Sequence, residues 1–218
     1  MYNLHSHSIL SDGVLLPSEI ARRYEAAGYK AIAITDHVDY SNIEFVVSSV
    51  KAFTRKWPGD SGIKILTGVE LTHLPLEQFK PLVKYARKKG IQVIIGHGES
   101  PVEPVIKGTN RAAIEAGVDI LAHPGDISDI DATLAAKKGI FLELTSRNGH
   151  SDGNAHVAQT ALRTGAKLIL SHDAHAPKDI ISPGELEGIA LNAGLSRADI
   201  DKIYRNVGGF IKNRRIRR

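Results

Sequence analysis

The sequence has no cysteine, one methionine, one tryptophan and no long apolar run. Without cysteine there can be neither disulfides nor thiolate metal sites, so any metal ligands must be nitrogen and oxygen atoms. No apolar stretch approaches the roughly 18 residues of a transmembrane helix. Because residues that look functional begin at His5, we expect no signal peptide, no membrane contact and a cytoplasmic protein. The hydrophobic fraction of 42% excludes a disordered chain.

The formal net charge of +4 is concentrated at the C-terminus. The remainder of the chain carries 23 basic and 24 acidic residues. We therefore predict a single domain over residues 1–211 and a basic C-terminal tail over residues 212–218. The tail is either simply solvated or makes weak contact with nucleic acid or another acidic surface. Its basic residues are Lys212, Arg214, Arg215, Arg217 and Arg218.

Short apolar runs alternate with longer segments of helical periodicity. Runs that are apolar on both sides of the alternation are typical of parallel strands buried on both faces. Seven strand–helix units predict an α/β fold, either a barrel or an open doubly wound sheet. The strand runs are the one containing Leu4 and those at 31–35, 63–67, 92–95, 118–122, 140–144 and 167–171. The helical segments are 17–28, 43–56, 75–89, 108–117, 128–139, 153–165 and two within 183–206.

Polar residues follow the C-terminal end of every predicted strand. In a (βα) barrel these ends converge on the rim that carries the active site. Residues i and i+2 of a strand point to the same side, so His5 and His7 should project together, as should Asp173 and His175. So many imidazoles and carboxylates exceed the needs of one ion, and they suit two to three ions of Zn, Mn or Fe. The strand-end residues are His5, His7, His37, Glu70, His97, His123, Glu143, Arg147, Asp173 and His175.

Four motifs occur in an order that resembles the PHP (polymerase and histidinol phosphatase) family. The resemblance extends from residue 3 to about residue 180. It implies a distorted seven-stranded (βα)7 TIM-like barrel and a metal-dependent hydrolase. The motifs are His5-x-His7 with Ser11-Asp12-Gly13, then Thr35-Asp36-His37, then His123-Pro124, then Asp173-Ala174-His175.

The same resemblance implies a trinuclear metal site. The first ion would be held by His5, His7, Glu70 and Asp173. Glu70 would bridge to a second ion, which would be bound by His97 and His123. The third ion would be held by Asp12, His37 and His175, and Asp12 stands where some family members have histidine.

The resemblance favours a phosphoesterase that cleaves a small phosphomonoester with a metal-bound hydroxide. Glu70 and Asp173 would be its central carboxylates. Arg147 would clamp the phosphate, because a guanidinium matches the phosphate dianion, and either His150 or a metal-bound water could protonate the leaving group. We interpret Asp36 as an orienting or turn-capping residue and leave Glu143 open between the site and a structural pair with lysine.

The sequence leaves three further functions open. The cluster could hydrolyse a phosphodiester in a nuclease-type reaction, or a C–N bond. Alternatively, the chain could be a non-enzymatic, RNA-binding subunit of an RNA-processing assembly, which would use the basic tail.

Overall fold

The computed structural model describes residues 1–214 and contains a nearly closed barrel of parallel strands. Neighbouring strands pair in the order β1-β2-β4-β5-β6-β7-β8, and β3 also pairs with β4. Backbone N–H of His7 donates to Ala174 O at 2.8 Å, which joins the first and last strand ends. The strands are β1 Tyr2–Asn3, β2 Ala31–Ile34, β3 His37–Val38, β4 Lys64–Leu71, β5 Val93–His97, β6 Ile120–Ala122, β7 Phe141–Thr145 and β8 Lys167–Ser171.

Strands β2 and β3 form one interrupted strand. Ile34 pairs with Thr67 and His37 pairs with Glu70, so the register along β4 is unchanged across the gap. Counted this way, the barrel has seven parallel strands. This confirms the predicted seven-stranded α/β barrel, and the open-sheet alternative is wrong.

With β2 and β3 counted as one, each strand after the first is preceded by a helix that packs on the outside of the sheet. Eight α-helices occur within residues 1–214, and all except the longer α8 match the predicted positions. A 3₁₀ turn, Leu76–Gln78, replaces the start of the predicted segment 75–89. The helices are α1 Pro17–Ala26, α2 Ile43–Lys56, α3 Phe79–Lys88, α4 Thr109–Ala116, α5 Asp129–Lys138, α6 Asn154–Thr164, α7 Pro183–Asn192 and α8 Arg197–Asn213.

Helix α8 continues beyond the predicted limit at residue 206. It passes through Gly208 and Gly209, although glycine inside a helix is unfavourable by roughly 0.5–1 kcal/mol relative to alanine. The helix persists because Val207 and Ile211 lie on the same buried face as Ile203. Packing of this apolar face against the barrel therefore outweighs the low helix propensity of the two glycines.

The C-terminal end of α8 is fixed at the N-terminal ends of the strands. Asp119, which precedes β6, pairs with Arg214 and with Arg87 Nη2 at 2.7 Å. Lys64 Nζ, at the start of β4, donates to Ile211 O at 3.0 Å. Lys212 thus belongs to α8, whereas residues 215–218 of the predicted tail lie outside the described residues. Within the described chain, no helix has the length and apolarity needed to cross a membrane.

Candidate metal centre

The nine predicted ligands meet at the C-terminal ends of the strands. They form three clusters in which one nitrogen or oxygen atom of each residue lies within 4.8 Å of those of the others. We call them the first cluster (His5, His7, Asp173), the second cluster (Glu70, His97, His123) and the third cluster (His7, Asp12, His37, His175). His7 lies in both the first and third clusters, so it is more central than the sequence indicated.

Glu70 occupies the middle of the centre. Its Oε2 lies 3.2 Å from His5 Nε2, 3.5 Å from His7 Nε2 and 2.9 Å from His37 Nδ1. Its Oε1 lies 4.0 Å from His123 Nε2. Glu70 is fully buried near the end of β4, the longest strand, which fixes the carboxylate between the clusters. This carboxylate therefore lies between imidazoles of all three clusters.

Asp173 completes the pair of central carboxylates. Its Oδ1 lies 3.1 Å from His7 Nε2 and 3.6 Å from His5 Nε2. Both imidazoles thus face the same carboxylate, as the i, i+2 spacing predicts. His175, two residues after Asp173, places Nε2 3.2 Å from Asp12 Oδ2.

Glu143 orients two ligands from behind. Its Oε1 accepts a hydrogen bond from His5 Nδ1 at 2.7 Å, and its Oε2 accepts one from the backbone N–H of His123 at 3.0 Å. A proton held on His5 Nδ1 leaves the Nε2 lone pair facing Glu70 and Asp173, as a metal ligand requires. The role that the sequence left open for Glu143 therefore belongs to the site and not to a lysine pair.

The loop after β1 is built around Asp36. The Asp36 carboxylate accepts hydrogen bonds from Ser8 N at 2.7 Å, Ser8 Oγ at 2.8 Å and Ser11 Oγ at 2.8 Å. These bonds agree with the predicted orienting or turn-capping role of Asp36. Gly13 follows where the chain doubles back, since a Cβ atom there would lie 2.2 Å from His7 O. The Ser11-Asp12-Gly13 motif thereby presents Asp12 to His37 and His175.

Within residues 1–214, three residues other than glycine have a left-handed backbone: His73, His123 and Asp173, with φ of 52°, 27° and 52°. This conformation is uncommon for residues with a side chain. Such strain persists where the surroundings fix it, and it clusters at functional sites. Two of the three are predicted ligands.

Burial sets the protonation of the ligands. Burial and the nearby His37 hold the pKa of His7 well below its usual range, and burial and His97 do the same for the pKa of His123. Both imidazoles are thus neutral near pH 7, the form that binds metal. Burial lowers the pKa of His5, but the carboxylates of Glu143, Glu70 and Asp173 outweigh it and raise the net pKa.

Burial also acts on the carboxylates of the centre. Burial raises the pKa of Glu70, but His5 and His37 overcome this effect and hold it well below its usual range. Burial raises the pKa of Asp173. In the absence of metal, Glu70 is therefore ionised more firmly than Asp173.

A divalent ion fits this set of residues. Several buried side-chain atoms that face one another in the clusters have no hydrogen-bond partner among residues 1–214: His5 Nε2, His7 Nδ1 and Nε2, both carboxylate oxygens of Glu70, and Asp173 Oδ1. Buried polar atoms are costly without a partner. Imidazole nitrogens and carboxylate oxygens without sulfur suit Zn²⁺, Mn²⁺ or Fe²⁺.

Arg147 and His150 lie on the same rim. Arg147 Nη1 donates to His175 Nδ1 at 2.8 Å and to Asp173 O at 3.2 Å, and the side chain is about one third exposed (32%). His150 is buried, with its ring 4.2 Å from that of His123. Both predicted roles, phosphate clamp and proton donor, stay predictions.

Sequence reasoning missed Glu103. This carboxylate lies in the loop 98–108, with Oε2 2.9 Å from His97 Nε2 and 3.0 Å from His73 Nε2. Its Oε1 lies 3.4 Å from His150 Nε2. Contacts with His150 and His97 hold the pKa of Glu103 well below its usual range. No periodicity marks a loop residue of this kind, so only the position of the loop on the rim could have indicated it.

Comparisons with known sequences agree with this geometry. The model of the PHP domain family matches residues 2–98, which contain six of the nine predicted ligands. An uncharacterized protein of Methanocaldococcus jannaschii is 39% identical over 204 residues, covering 92% of this chain and 93% of the relative. The DNA polymerase/3'-5' exonuclease PolX of Bacillus subtilis is 28% identical over 192 residues, 79% of this chain but 34% of the relative. The chain thus spans about a third of that relative.

Solved structures share the fold at low sequence identity. A chain of archaeal ribonuclease P, solved with mature tRNA, has a TM-score of 0.72 at 19% identity, over 97% of this chain and 91% of that one. Histidinol phosphate phosphatase of Lactococcus lactis was solved with zinc, L-histidinol and phosphate. It has a TM-score of 0.63 at 15% identity, over 89% of this chain and 94% of that one. The M. jannaschii relative is similar over nearly its whole length, and the family model covers the first six ligands. This chain therefore belongs to the PHP domain family.

Proposed function

We propose that the protein is a metal-dependent phosphoesterase whose preferred substrate is a small phosphomonoester. The observation that carries the proposal is the set of three His and carboxylate clusters around Glu70, with buried ligand atoms that lack other partners. The histidinol phosphate phosphatase of L. lactis, which shares the fold, was solved with zinc and phosphate.

The residues of the three clusters would hold two to three divalent ions. Bound there, the ions would supply Lewis-acid stabilisation of phosphate charge and a lowered pKa for water. In the reaction, water adds to phosphorus while the P–O bond to the leaving alcohol breaks, which gives inorganic phosphate and the alcohol.

The chain's own residues would prepare this reaction in three ways. Glu143 holds the proton on His5 Nδ1 and so keeps the Nε2 lone pair available. Arg147, at the exposed edge of Asp173 and His175, would attract and orient the phosphate dianion. His150 would deliver a proton to the leaving oxygen, and its Nε2 lies 3.4 Å from Glu103 Oε1.

The proposal is tested with the ligand variants His7→Ala and Asp173→Ala. We expect each variant to hydrolyse p-nitrophenyl phosphate at least a hundredfold more slowly than the wild type, because each removes a ligand of the first cluster. His156→Gln is the matched control, since His156 lies in α6 and hydrogen-bonds Ile127 O. Circular dichroism and elemental analysis establish that the fold is kept and that metal is lost. Wild-type turnover in both variants would falsify the proposal.

A second candidate is hydrolysis of a phosphodiester at the end of a nucleic acid. The observation that favours it is the similarity over 79% of this chain to PolX, a DNA polymerase/3'-5' exonuclease. The ratio of turnover on p-nitrophenyl phosphate to turnover on bis-p-nitrophenyl phosphate separates the two candidates. A ratio well above one favours the monoester, and a ratio below one together with digestion of oligonucleotide ends favours the diester.

A further inference from the structure

A fourth group of possible ligands lies on the outer side of His97. Glu103 Oε2 is 2.9 Å from His97 Nε2 and 3.0 Å from His73 Nε2, and the three ligand atoms lie within 4.8 Å of one another. We call His73, His97 and Glu103 the outer triad. The three residues come from three places in the chain: the turn after β4, the end of β5 and the loop 98–108. We propose that the divalent cation bound by His97 takes Glu103 and His73 as further ligands.

The spacing of the outer triad suits ligands of one ion. Zinc lies about 2.0–2.2 Å from imidazole nitrogen and carboxylate oxygen, so two such ligands of one ion lie roughly 3 Å apart. The separations of 2.9 and 3.0 Å meet this condition. The ion pairs of Glu103 within residues 1–214 are all with imidazoles: those of His73, His97 and His150. Imidazoles become neutral ligands when a metal binds.

The backbone of the outer triad is held in place. His73 shares its left-handed conformation with His123 and Asp173, two ligands of the inner clusters. The loop 98–108 is tied at both ends: Glu99 Oε1 accepts hydrogen bonds from Gly108 N at 3.0 Å and Asn110 N at 2.9 Å. The loop that carries Glu103 is therefore anchored, and it holds the Glu103 carboxylate next to His97.

His97 limits the number of ions. Its Nδ1 lies 3.0 Å from Gly98 O and donates to that carbonyl, so Nε2 is the atom that remains for a metal. His97 is also a member of the second cluster with Glu70 and His123, so the same Nε2 would serve both groups. The outer triad therefore adds ligands to the ion of the second cluster and does not create a fourth ion.

The test compares Glu103→Gln and His73→Asn with the wild type. Asparagine is chosen for position 73 because it tolerates the left-handed backbone. Glu77→Gln is the matched control, since Glu77 is exposed in the neighbouring 3₁₀ turn. Zinc affinity is measured by competition with a chelator, and the ions per chain are counted by elemental analysis. We expect Glu103→Gln and His73→Asn each to bind one zinc ion at least tenfold more weakly than the wild type. Glu77→Gln should bind zinc as the wild type does.

A crystal of the zinc-loaded wild type supplies the second measurement. Anomalous scattering at the zinc edge should place an ion within about 2.3 Å of a Glu103 oxygen. An ion more than 3 Å from Glu103, or unchanged affinity in Glu103→Gln, would overturn the inference. The inference rests on the metal centre of the proposed function, but the failures differ: ions in the inner clusters alone would refute only the role of Glu103 and His73, whereas a chain that binds no metal would refute the proposed function.

Discussion

Individual buried residues behind the metal centre decide which atoms face the ions. Glu143 is fully buried, and its carboxylate accepts hydrogen bonds from the imidazole of His5 and from the backbone N–H of His123. Partners of this kind orient imidazoles and tune their basicity, and their loss typically costs 10–100-fold in metal affinity. The contribution of Glu143 can therefore be measured without assuming any substrate.

We expect Glu143→Gln to weaken metal binding by about 10–100-fold. A neutral amide no longer stabilises the proton on His5 Nδ1 by charge, although it fills the same volume. Chelator competition measures the affinity. Equilibrium unfolding of the metal-free variant shows whether the barrel is intact. Wild-type affinity in a folded variant would mean that Glu143 has only a packing role.

Protonation of the buried His172 makes the stability of the protein depend on pH. It lies between two tyrosines, with Nδ1 2.9 Å from Tyr24 Oη and Nε2 2.9 Å from Tyr29 Oη. Burial lowers the pKa of His172 to about 4. In an unfolded chain the pKa of histidine is near 6.5, so only the unfolded state binds the proton between these values. The contribution of His172 to the free energy of unfolding therefore has its full value above about pH 6.5. It decreases as the pH drops toward 4.

This titration predicts a loss of about 2 kcal/mol in the free energy of unfolding between pH 7.5 and pH 5.0. This part of the loss should be absent from His172→Gln, because glutamine does not titrate, whereas the losses that come from the buried His7 and His123 remain in both proteins. Urea unfolding of metal-free wild type and variant at both pH values measures the difference. Parallel pH profiles for the two proteins would contradict the assignment.

At the scale of elements, the loop between β1 and α1 depends on close backbone contact. Gly13 leaves no room for a Cβ atom next to His7 O, whereas the space around Gly188 in α7 is open to 4 Å. Substitution by alanine should therefore have opposite effects on stability at the two positions. A methyl group at position 13 displaces the loop that carries Asp12, and a methyl group at position 188 improves helix propensity.

We expect Gly13→Ala to lower the free energy of unfolding by at least about 1 kcal/mol and to weaken metal binding by the third cluster. Gly188→Ala, the matched control, should raise the free energy of unfolding by roughly 0.5–1 kcal/mol and leave metal binding unchanged. Urea unfolding and elemental analysis test both. Full metal content and stability in Gly13→Ala would show that the loop adapts.

At the scale of the whole molecule, the two ends of the barrel differ in what they carry: predicted metal ligands at one end and the contact with the C-terminal helix at the other. The ligands lie at the C-terminal strand ends, and the Asp119–Arg214 contact lies at the N-terminal strand ends. Along β4, Lys64 and Glu70 are separated by roughly 20 Å. The described part of the predicted basic tail, Lys212 to Arg214, is thus at the end opposite the metal centre.

The whole molecule should be markedly stabilised by metal. Each ion at a hundredfold excess over its Kd adds about 2.7 kcal/mol to the free energy of unfolding. For a chain of this size, this corresponds to roughly 5–10 °C in Tm. Calorimetry with Zn²⁺ or with a chelator measures the shift, and Asp173→Asn serves as the variant with a weakened site. Equal Tm values under both conditions would mean that the clusters do not bind metal in the folded state.

The sequence by itself determined the strand–helix alternation and the residues at the strand ends. Both follow from local geometry, because apolar periodicity sets the element and the i, i+2 spacing sets the direction of His5 and His7. Only the tertiary structure decided that the sheet closes, that α8 continues past Gly208 and that Glu143 faces His5. It also brought Glu103 and His73 to His97. These outcomes depend on contacts between residues far apart in the chain and on loop backbone conformation, neither of which short-range periodicity encodes.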